Sequence, residues 1–382
     1  MRHLIGRASP FANLVKVLVL LAAVDWYVRG PFFDTYMVPR YAVGPLLRER
    51  GAGSILFDVV ARSPHQGIRV AFVGDSTMVA MPGPDNTVVP YLVGQGLRRR
   101  FGASQIEVID ASAIGLYAAD SLLFVDKLLG VDADVIVYGL LLRAFPRHPA
   151  ARWTSRVSGE LGLGDLERLV AVGAGPWLAQ TMGAEQIVGG VVHSEWKTYA
   201  YRSSLRSFLL GSQRPFWPAM AAVLQAPPTA EGPVVSPRPG GRPQFDWTRA
   251  EYGSPNRNWD ALELLGRLCA RYGPRRCMIF SGPINPEGRD QLAEPGFYKE
   301  YLGRLQDVSD RYGIVYSDCT DGLTSADFVS PGMQGRDAIH MRDSGRAKLA
   351  ARLVEPIADL VGGLLAERTR RTAGAPGTPV GG

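Results

Sequence analysis

The chain has 382 residues, which suits one large α/β domain with an insertion or two modest domains. Apolar residues make up 46% and charged residues 20%, which excludes a mainly disordered, collagen-like or multi-span membrane protein. The formal charge of +6 comes from 42 Lys and Arg against 36 Asp and Glu, and the arginines are scattered along the chain. Because nucleic-acid binding needs a clustered basic stripe, we expect no nucleic-acid partner.

The N-terminus carries a basic start and an apolar run. Arg2 and Arg7 precede residues 14–28, which are apolar apart from Lys16 and Asp25. The run is marginally long enough for a signal anchor, and a cleaved signal peptide or a buried soluble helix remain alternatives. If it is an anchor, the basic residues keep the N-terminus inside and the rest of the chain lies outside the cytoplasm.

The first strand is predicted from Ile68, where IRVAFVGDS is a short apolar run that ends in a glycine-containing turn. Strands and helices then alternate on both sides of an insertion. In chain order they are a helix at 90–100, a strand at 106–110, a helix at 118–129, a strand at 134–138, a helix at 259–272, a strand at 277–280, a helix at 298–312, a strand at 314–316 and a helix at 344–365. This alternation predicts an α/β domain whose two halves share one parallel sheet.

The remaining segments complete the predicted organisation. Residues 1–30 are the expected anchor, 31–67 a stalk or linker, and 68–367 the α/β domain. An insertion of mixed character spans about 145–254 and includes a proline-rich stretch that is typical of an extended surface loop. The tail, 368–382, is expected to be disordered.

Three cysteines, Cys269, Cys277 and Cys319, are too few for a disulfide scaffold, and no Cys/His grouping has zinc-ligand spacing. We therefore expect no metal site, and nothing points to another cofactor. Cys269 and Cys277 are eight residues apart. In an oxidising compartment they either close the loop between a helix and a strand or remain two buried thiols.

The triplet Gly74-Asp75-Ser76 directly follows the first predicted strand. A serine there lies at the carboxyl end of the sheet, where open α/β folds place their active sites. The same triplet also suits a simple helix cap.

A possible base for this serine precedes the last helix. Asp337 lies three residues before His340, a spacing that lets the carboxylate hold one imidazole nitrogen while the other faces a substrate. A serine hydroxyl needs such a partner to become a nucleophile. The alternative is a surface loop that happens to contain both residues, and His193, in the insertion, is the rival base.

Taken together, a GDS after the first strand and a DxxH before the last helix resemble the SGNH, or GDSL-type, hydrolase family over about half of the chain. The resemblance implies a three-layer α/β sandwich in which Ser76 is the nucleophile, His340 the general base and Asp337 its orienting acid. It also implies that the backbone N–H groups of Ser76 and Gly115 stabilise the oxyanion. An ordinary strand-to-helix turn is the alternative reading of Gly115.

One part of the family pattern is missing. After the third strand the family usually has Gly-x-Asn-Asp, whereas this chain reads Gly139-Leu-Leu-Leu-Arg143. Arg143 replaces the asparagine donor, or two backbone donors suffice, or the protein is a weak or inactive member.

Further segments, including SGPINPE at 281–287, resemble the membrane-tethered branch of the family that acts in envelope acyl transfer. Its members include the D-alanyl-transfer protein of teichoic acid synthesis and the alginate O-acetylation proteins. The resemblance implies an anchored, extracytoplasmic esterase or O-acyltransferase acting on acyl esters of an envelope polysaccharide, with a multi-span membrane O-acyltransferase as partner. A secreted esterase or lipase acting on diffusible substrates and a non-catalytic glycan-binding assembly protein are the alternatives.

Overall fold

The computed structural model describes residues 10–37, 42–43, 46–48, 54–63, 65, 67–78, 85–113, 115–147, 161–201, 247–329 and 339–373. Its strands, in chain order, are β1 (Ala42–Val43), β2 (Leu46–Arg48), β3 (Ile68–Val73), β4 (Ile106–Asp110), β5 (Val135–Leu140), β6 (Cys277–Ser281) and β7 (Val315–Asp318).

The α-helices are α1 (Pro10–Tyr27), α2 (Ser54–Arg62), α3 (Val89–Phe101), α4 (Ala118–Gly130), α5 (Leu163–Ala171), α6 (Gly175–Thr181), α7 (Ala184–Glu195), α8 (Lys197–Ala200), α9 (Arg249–Tyr252), α10 (Arg257–Tyr272), α11 (Pro286–Leu292), α12 (Phe297–Tyr312) and α13 (Asp343–Ala373). The described chain divides into two compact units. Residues 10–37 and 192–201 belong to the N-terminal unit, and the other described residues belong to the α/β unit.

The sheet of the α/β unit has the order β1-β2-β4-β3-β5-β6-β7. All neighbouring strands from β2 to β7 pair in parallel, and only β1 is antiparallel to its neighbour. The five strands predicted from the sequence are β3 to β7, so the predicted parallel sheet is confirmed. Numbered among themselves, these five have the order 2-1-3-4-5, one of the two common doubly wound arrangements.

Side-chain alternation along the strands produces two buried faces. Ile68, Val70 and Phe72 of β3 join a core cluster with residues of α3 and α13. The intervening residues point to the opposite face because successive side chains alternate. On that side α10 packs against both α4 and α12. The sheet is therefore covered by helices on both faces, as parallel sheets require.

The edge strands correct the predicted organisation. Residues 31–67 were expected to form a stalk or linker, yet β2 pairs with β4, with Leu46 opposite Val108, and β1 pairs with β2. Strands of two and three residues are too short to show a two-residue period, so the sequence pattern did not reveal them.

The last helix also differs from prediction, because it continues through the first six residues of the tail expected to be disordered. Arg368 donates hydrogen bonds to Asp134 Oδ1 at 2.6 Å and to the carbonyl oxygen of Gly67 at 2.9 Å. These bonds fasten the final turns of α13 to the amino-terminal edge of the sheet. Residues 374–382 lie outside the described residues.

The insertion is mainly helical where the structure describes it, in α5 to α9. Its proline-rich stretch, residues 226–245, lies outside the described residues. Beyond the insertion, α10 and β6 are joined by a disulfide between Cys269 and Cys277, whose Cα atoms are 6.0 Å apart. The structure thus selects the paired alternative for these two cysteines. Cys319 is a buried free thiol.

In the N-terminal unit, α1 continues into a π-helical segment, Val28–Met37. Pro31 lies within this segment, where its missing N–H interrupts the regular hydrogen-bond ladder. Phe33 is buried and packs against Tyr201, with ring centroids 5.5 Å apart. The apolar side chains of α1 from Leu14 to Leu21 are exposed. Among the described residues, no helix combines the length and the hydropathy needed to cross a membrane.

Candidate active site

The candidate site lies where the strand order reverses. β3 is the first strand of the central five, and its neighbours are β4 on one side and β5 on the other. The connection that leaves β3 runs to β4 on one side, and the connection that leaves β5 runs to β6 on the other side. These opposite directions open a crevice beyond the carboxyl ends of β3 and β5. Ser76 follows the carboxyl end of β3, and Arg143 follows that of β5.

A tight turn after β3 presents Ser76. The N–H of Met78 donates to the carbonyl oxygen of Asp75 at 3.1 Å. One carboxylate oxygen of Asp75, Oδ1, accepts from the backbone N–H of Thr77 at 2.9 Å and from its hydroxyl at 2.8 Å. At Gly74 a Cβ would lie 2.5 Å from the Met78 side chain. Glycine is therefore needed for the chain to fold back so closely.

The structure brings Ser76 and His340 together across 264 residues of sequence. Ser76 Oγ lies 2.8 Å from His340 Nε2, which is hydrogen-bond distance. Ser76 is 2% exposed and His340 is half-buried. A hydroxyl and an imidazole at this distance can exchange a proton, which is the requirement for activating a serine.

His340 is held by a short backbone bridge between two loops. Phe328 and Met341 pair in antiparallel fashion, and both are buried in the hydrophobic core. The N–H of Val329 donates to the carbonyl oxygen of His340 at 2.9 Å. The N–H of Arg342 donates to the carbonyl oxygen of Asp327 at 2.8 Å. The chain is thus fixed on both sides of the imidazole.

Asp327 fastens this bridge to the first turn of α13. Its carboxylate accepts hydrogen bonds from Ser344 Oγ at 2.9 Å and from Lys348 Nζ at 2.8 Å. It also accepts from Thr324, through the backbone N–H and the hydroxyl. Burial opposes ionisation, but these donors outweigh it and lower the pKa of Asp327 to about 2. Sequence reasoning did not single out Asp327, although the Thr-x-x-Asp pattern at 324–327 is a recognisable capping signal.

The structure does not describe the side chains of two candidate residues, the acid expected to orient His340 and the rival base. Asp337 lies outside the described residues, so its role as the orienting acid stays a prediction. His193, the rival base, lies on α7, and its side chain is not described. Among the described side chains, that of His340 contacts Ser76.

Gly115 lies in the loop between β4 and α4, and its φ of +76° is a conformation that favours glycine. This loop is hydrogen-bonded to the serine turn, since the N–H of Ala113 donates to the carbonyl oxygen of Gly74 at 2.9 Å. The loop therefore runs beside the chain that carries Ser76. Its placement suits both readings of Gly115, an oxyanion donor and a tight turn.

The turn after β5 contains buried leucines where the family that the sequence resembles has an asparagine and an aspartate. Leu141 and Leu142 occupy the positions of the asparagine and the aspartate, and both are buried. Arg143 follows them on a short 3-10 turn, Leu142–Ala144. Its Nε lies 3.5 Å from Asp75 Oδ2, so a guanidinium lies beside the residue that precedes Ser76.

A buried acid, Asp120, lies near the site in the first turn of α4 and was missed by sequence reasoning. The side chain is fully buried, and Oδ2 accepts from the N–H of Tyr117 at 3.2 Å. Burial raises the pKa of Asp120 to about 7. Burial also raises the pKa of Tyr138 on β5, and the charges of Asp120 and Asp75 add to that rise. Only the position of Asp120 in a helix first turn could have indicated it, and first turns commonly contain acids.

The described residues contain no cluster of three or more His, Cys, Asp or Glu side chains that could hold a metal ion. The site consists of a hydroxyl, an imidazole, backbone N–H groups and a guanidinium. Such a set can carry out nucleophilic attack, proton transfer and oxyanion stabilisation.

No family model matches the chain, and no curated protein matches it. Solved structures that are similar include an α/β hydrolase from the metagenome of Lake Arreo, Spain, at 12% identity and a TM-score of 0.38, covering 78% of this chain and 96% of that one. A putative GDSL-like lipase from Parabacteroides merdae has 12% identity and a TM-score of 0.38, covering 78% and 98%. A lipase/acylhydrolase from Enterococcus faecalis has 14% identity and a TM-score of 0.35, covering 76% and 96%. These similarities are too distant to assign an activity, so the chemistry is inferred from the site itself.

Proposed function

We propose that this protein is a serine esterase or O-acyltransferase of the SGNH type that acts outside the cytoplasm on acyl esters of a cell-envelope polysaccharide. The observation that carries this proposal is the 2.8 Å contact between Ser76 Oγ and His340 Nε2 at the reversal point of the sheet. An unconnected surface serine and histidine would not be expected to meet at the place where this fold binds its ligands.

The proposed reaction begins when Ser76 Oγ attacks the ester carbonyl carbon and passes its proton to His340 Nε2. The carbonyl π electrons move to oxygen, giving an oxyanion next to the backbone N–H groups of Ser76 and Gly115. Collapse of this intermediate breaks the bond to the leaving alcohol, which takes the proton from His340. The acyl group remains on Ser76 until water or a sugar hydroxyl attacks it by the reverse sequence.

Asp337 is the proposed partner of the other imidazole nitrogen. It would fix the tautomer of His340 and stabilise the imidazolium that forms after proton transfer. The chain needs no metal or other cofactor for this chemistry.

One feature supports a location outside the cytoplasm, and a second supports contact with the membrane. The Cys269–Cys277 disulfide is typical of an oxidising compartment. In the N-terminal unit, α1 exposes its Val and Leu side chains from Leu14 to Leu21, and Trp26, at the end of the same helix, is 70% exposed. Apolar side chains flanked by an exposed tryptophan favour contact with lipid. The N-terminal segment is therefore proposed to hold the protein at the membrane, beside a multi-span O-acyltransferase.

The polysaccharide substrate and the membrane partner rest on the sequence resemblance to envelope acyl-transfer proteins. Hydrolysis and transfer share the acyl-enzyme step and differ only in the group that accepts the acyl chain. A sugar hydroxyl competes with water when it is positioned next to the acylated serine.

Labelling with a fluorophosphonate probe tests the proposal directly, because the probe reacts with an activated serine. Intact-mass and peptide mapping should place one adduct on Ser76 in the wild-type protein. Ser76→Ala should abolish the adduct, while Ser121→Ala, at a buried serine on α4, should not. A folded wild-type protein that takes up no probe at Ser76 would contradict the proposed function.

A further inference from the structure

Arg143 is held rigidly beside the serine turn. The residues flanking it, Leu142 and Ala144, are buried, and the next residue, Phe145, is fully buried and stacks on Trp259 with ring centroids 4.1 Å apart. The side chain of Arg143 itself is 32% exposed. Packing on both sides therefore fixes the backbone from which the guanidinium projects.

The partner of Arg143 is an incompletely satisfied carboxylate. Asp75 is 5% exposed, and its Oδ1 is occupied by Thr77. Its other oxygen, Oδ2, is buried and accepts no hydrogen bond in the described structure. Among the described residues its ion-pair partner is Arg143, whose Nε lies 3.5 Å away. A buried negative charge therefore lies one residue from the nucleophile, with one guanidinium to offset it.

This arrangement has a chemical consequence for attack by Ser76. Negative charge develops on the carbonyl oxygen as the Oγ–C bond forms, and the charge of Asp75, one residue before Ser76 in the chain, opposes it. Arg143 neutralises Asp75 through Nε, and the ion pair leaves the two terminal nitrogens of the guanidinium to donate elsewhere. The motif position that usually supplies a side-chain donor is a buried leucine, Leu141.

We propose that Arg143, aimed by Asp75, is the side-chain oxyanion donor of this site and also the counter-charge that keeps Asp75 from opposing oxyanion formation. The inference rests on the proposed function and adds a catalytic residue, Arg143, and a positioning residue, Asp75, to it. Because one guanidinium has both roles, its removal should have two effects on catalysis. The oxyanion loses a donor, and Asp75 is left as an uncompensated buried charge one residue from the nucleophile.

The two roles of Arg143 predict that the effects of substitutions at Asp75 and Arg143 on kcat are not additive. Arg143→Ala should lower kcat for a neutral nitrophenyl ester by more than about 10²-fold with little change in KM, as expected for a group that acts in the transition state. Asp75→Asn keeps the acceptor for Thr77 and should change kcat only several-fold. In the double variant, loss of the carboxylate charge should restore about 10-fold of the rate lost in Arg143→Ala.

The experiment compares wild type, Arg143→Ala, Arg143→Lys, Asp75→Asn and the Asp75→Asn/Arg143→Ala double variant. It measures ester hydrolysis and the second-order rate of phosphonylation at Ser76, with folding checked by circular dichroism. Arg143→Lys keeps the charge and should lie between wild type and Arg143→Ala. Arg147→Ala removes the same charge from an exposed side chain four residues along and is the matched control.

The outcomes separate this inference from the proposed function. If Ser76 of the wild type is labelled and Arg143→Ala is labelled and turns over equally fast, the oxyanion role is wrong while the esterase proposal stands. If the double variant is slower than Arg143→Ala, the counter-charge role is wrong. If Ser76 of the folded wild type is not labelled at all, both the proposed function and the inference about Arg143 are wrong. A rise in KM alone would assign Arg143 to substrate binding and overturn its catalytic role.

Discussion

Val329 and His340 are joined by a backbone hydrogen bond of 2.9 Å, so the loop that follows β7 directly holds the residue proposed as the general base. Asp327, two residues before Val329, fastens the same loop to α13. The position of the imidazole therefore depends on a carboxylate that has no part in the proposed chemistry.

The first prediction concerns the proposed nucleophile and base. Ser76→Ala and His340→Ala should each lower acyl turnover by about 10³-fold or more, because residues of a catalytic triad act as a unit. Asp337→Asn should lower it less. Turnover is measured with a nitrophenyl ester, and circular dichroism checks the fold. Near-wild-type activity of His340→Ala would show that another residue is the base.

The second prediction concerns Asp327. Replacement by asparagine removes the charge that binds Lys348, so His340 is less well held and kcat should fall about 10-fold. Ser76 should still react with the phosphonate probe. Asp321→Asn, at an exposed carboxylate nearby, is the control and should behave as wild type. Equal kcat values for the two variants would contradict a positioning role.

The same carboxylate predicts a dependence of stability on pH. Its pKa is lowered in the folded state to about 2, against about 3.9 for a free aspartate. The stabilisation is therefore complete above about pH 4 and is lost as the pH falls from 4 towards 2. Urea unfolding at a series of pH values should show this loss in the wild type and a smaller one in Asp327→Asn.

The third prediction concerns Asp120, whose effect on the pH dependence of stability is opposite to that of Asp327. Its pKa is raised to about 7 by burial, so the folded state favours the protonated form. The contribution of Asp120 to the free energy of unfolding is fully present below about pH 4 and is lost as the pH rises through 7. Asp120→Asn should therefore be more stable than wild type at pH 8, by about 1 to 3 kcal/mol, and similar to it at pH 4. Thermal unfolding at both values measures the difference, and a destabilised variant at pH 8 would contradict it.

The fourth prediction concerns the disulfide. Thiol titration under denaturing, non-reducing conditions should find one free thiol, that of Cys319, and three after reduction. Replacing both Cys269 and Cys277 by serine should lower the free energy of unfolding by about 2 to 3 kcal/mol, because the bond closes a short loop in the unfolded chain. Three free thiols before reduction would show that the bond does not form.

The fifth prediction concerns the membrane. Full-length protein should fractionate with membranes, resist extraction by high salt and be released by detergent. Replacing the exposed Leu18 and Leu20 of α1 by glutamate should shift it to the soluble fraction. Val170→Glu changes an equally exposed residue of α5 and should leave it with the membrane. Wild-type protein in the cytosolic fraction would contradict the membrane proposal.

The sequence predicted the central strands and helices closely because each is long enough to show its period. β3 and α12, for example, were located within a residue or two. It also singled out Ser76 and His340, which follow and precede predicted elements, and the structure places their side chains 2.8 Å apart. Their catalytic roles stay a prediction. The edge strands β1 and β2 were missed because strands of two or three residues have no period to detect.

The contact between Asp75 and Arg143 could not be predicted for a different reason. The two residues lie 68 positions apart, and their proximity depends on β3 and β5 being neighbours in the sheet. Strand order is a property of the assembled sheet, and the local sequence around Asp75 or Arg143 does not determine it. The proposed positioning role of Asp327 could not be predicted for the same reason. Its partner Lys348 belongs to a helix that begins sixteen residues later.

The separation of Ser76 and His340 by 264 residues has a consequence for synthesis of the protein. A chain that leaves the ribosome or a translocation channel amino-terminus first exposes the serine long before the imidazole exists. The hydroxyl is a weak nucleophile until α13 docks on the sheet and brings the loop of His340 over it. On the proposed mechanism, acyl chemistry therefore requires synthesis to proceed beyond His340, and products that end before this residue lack the base.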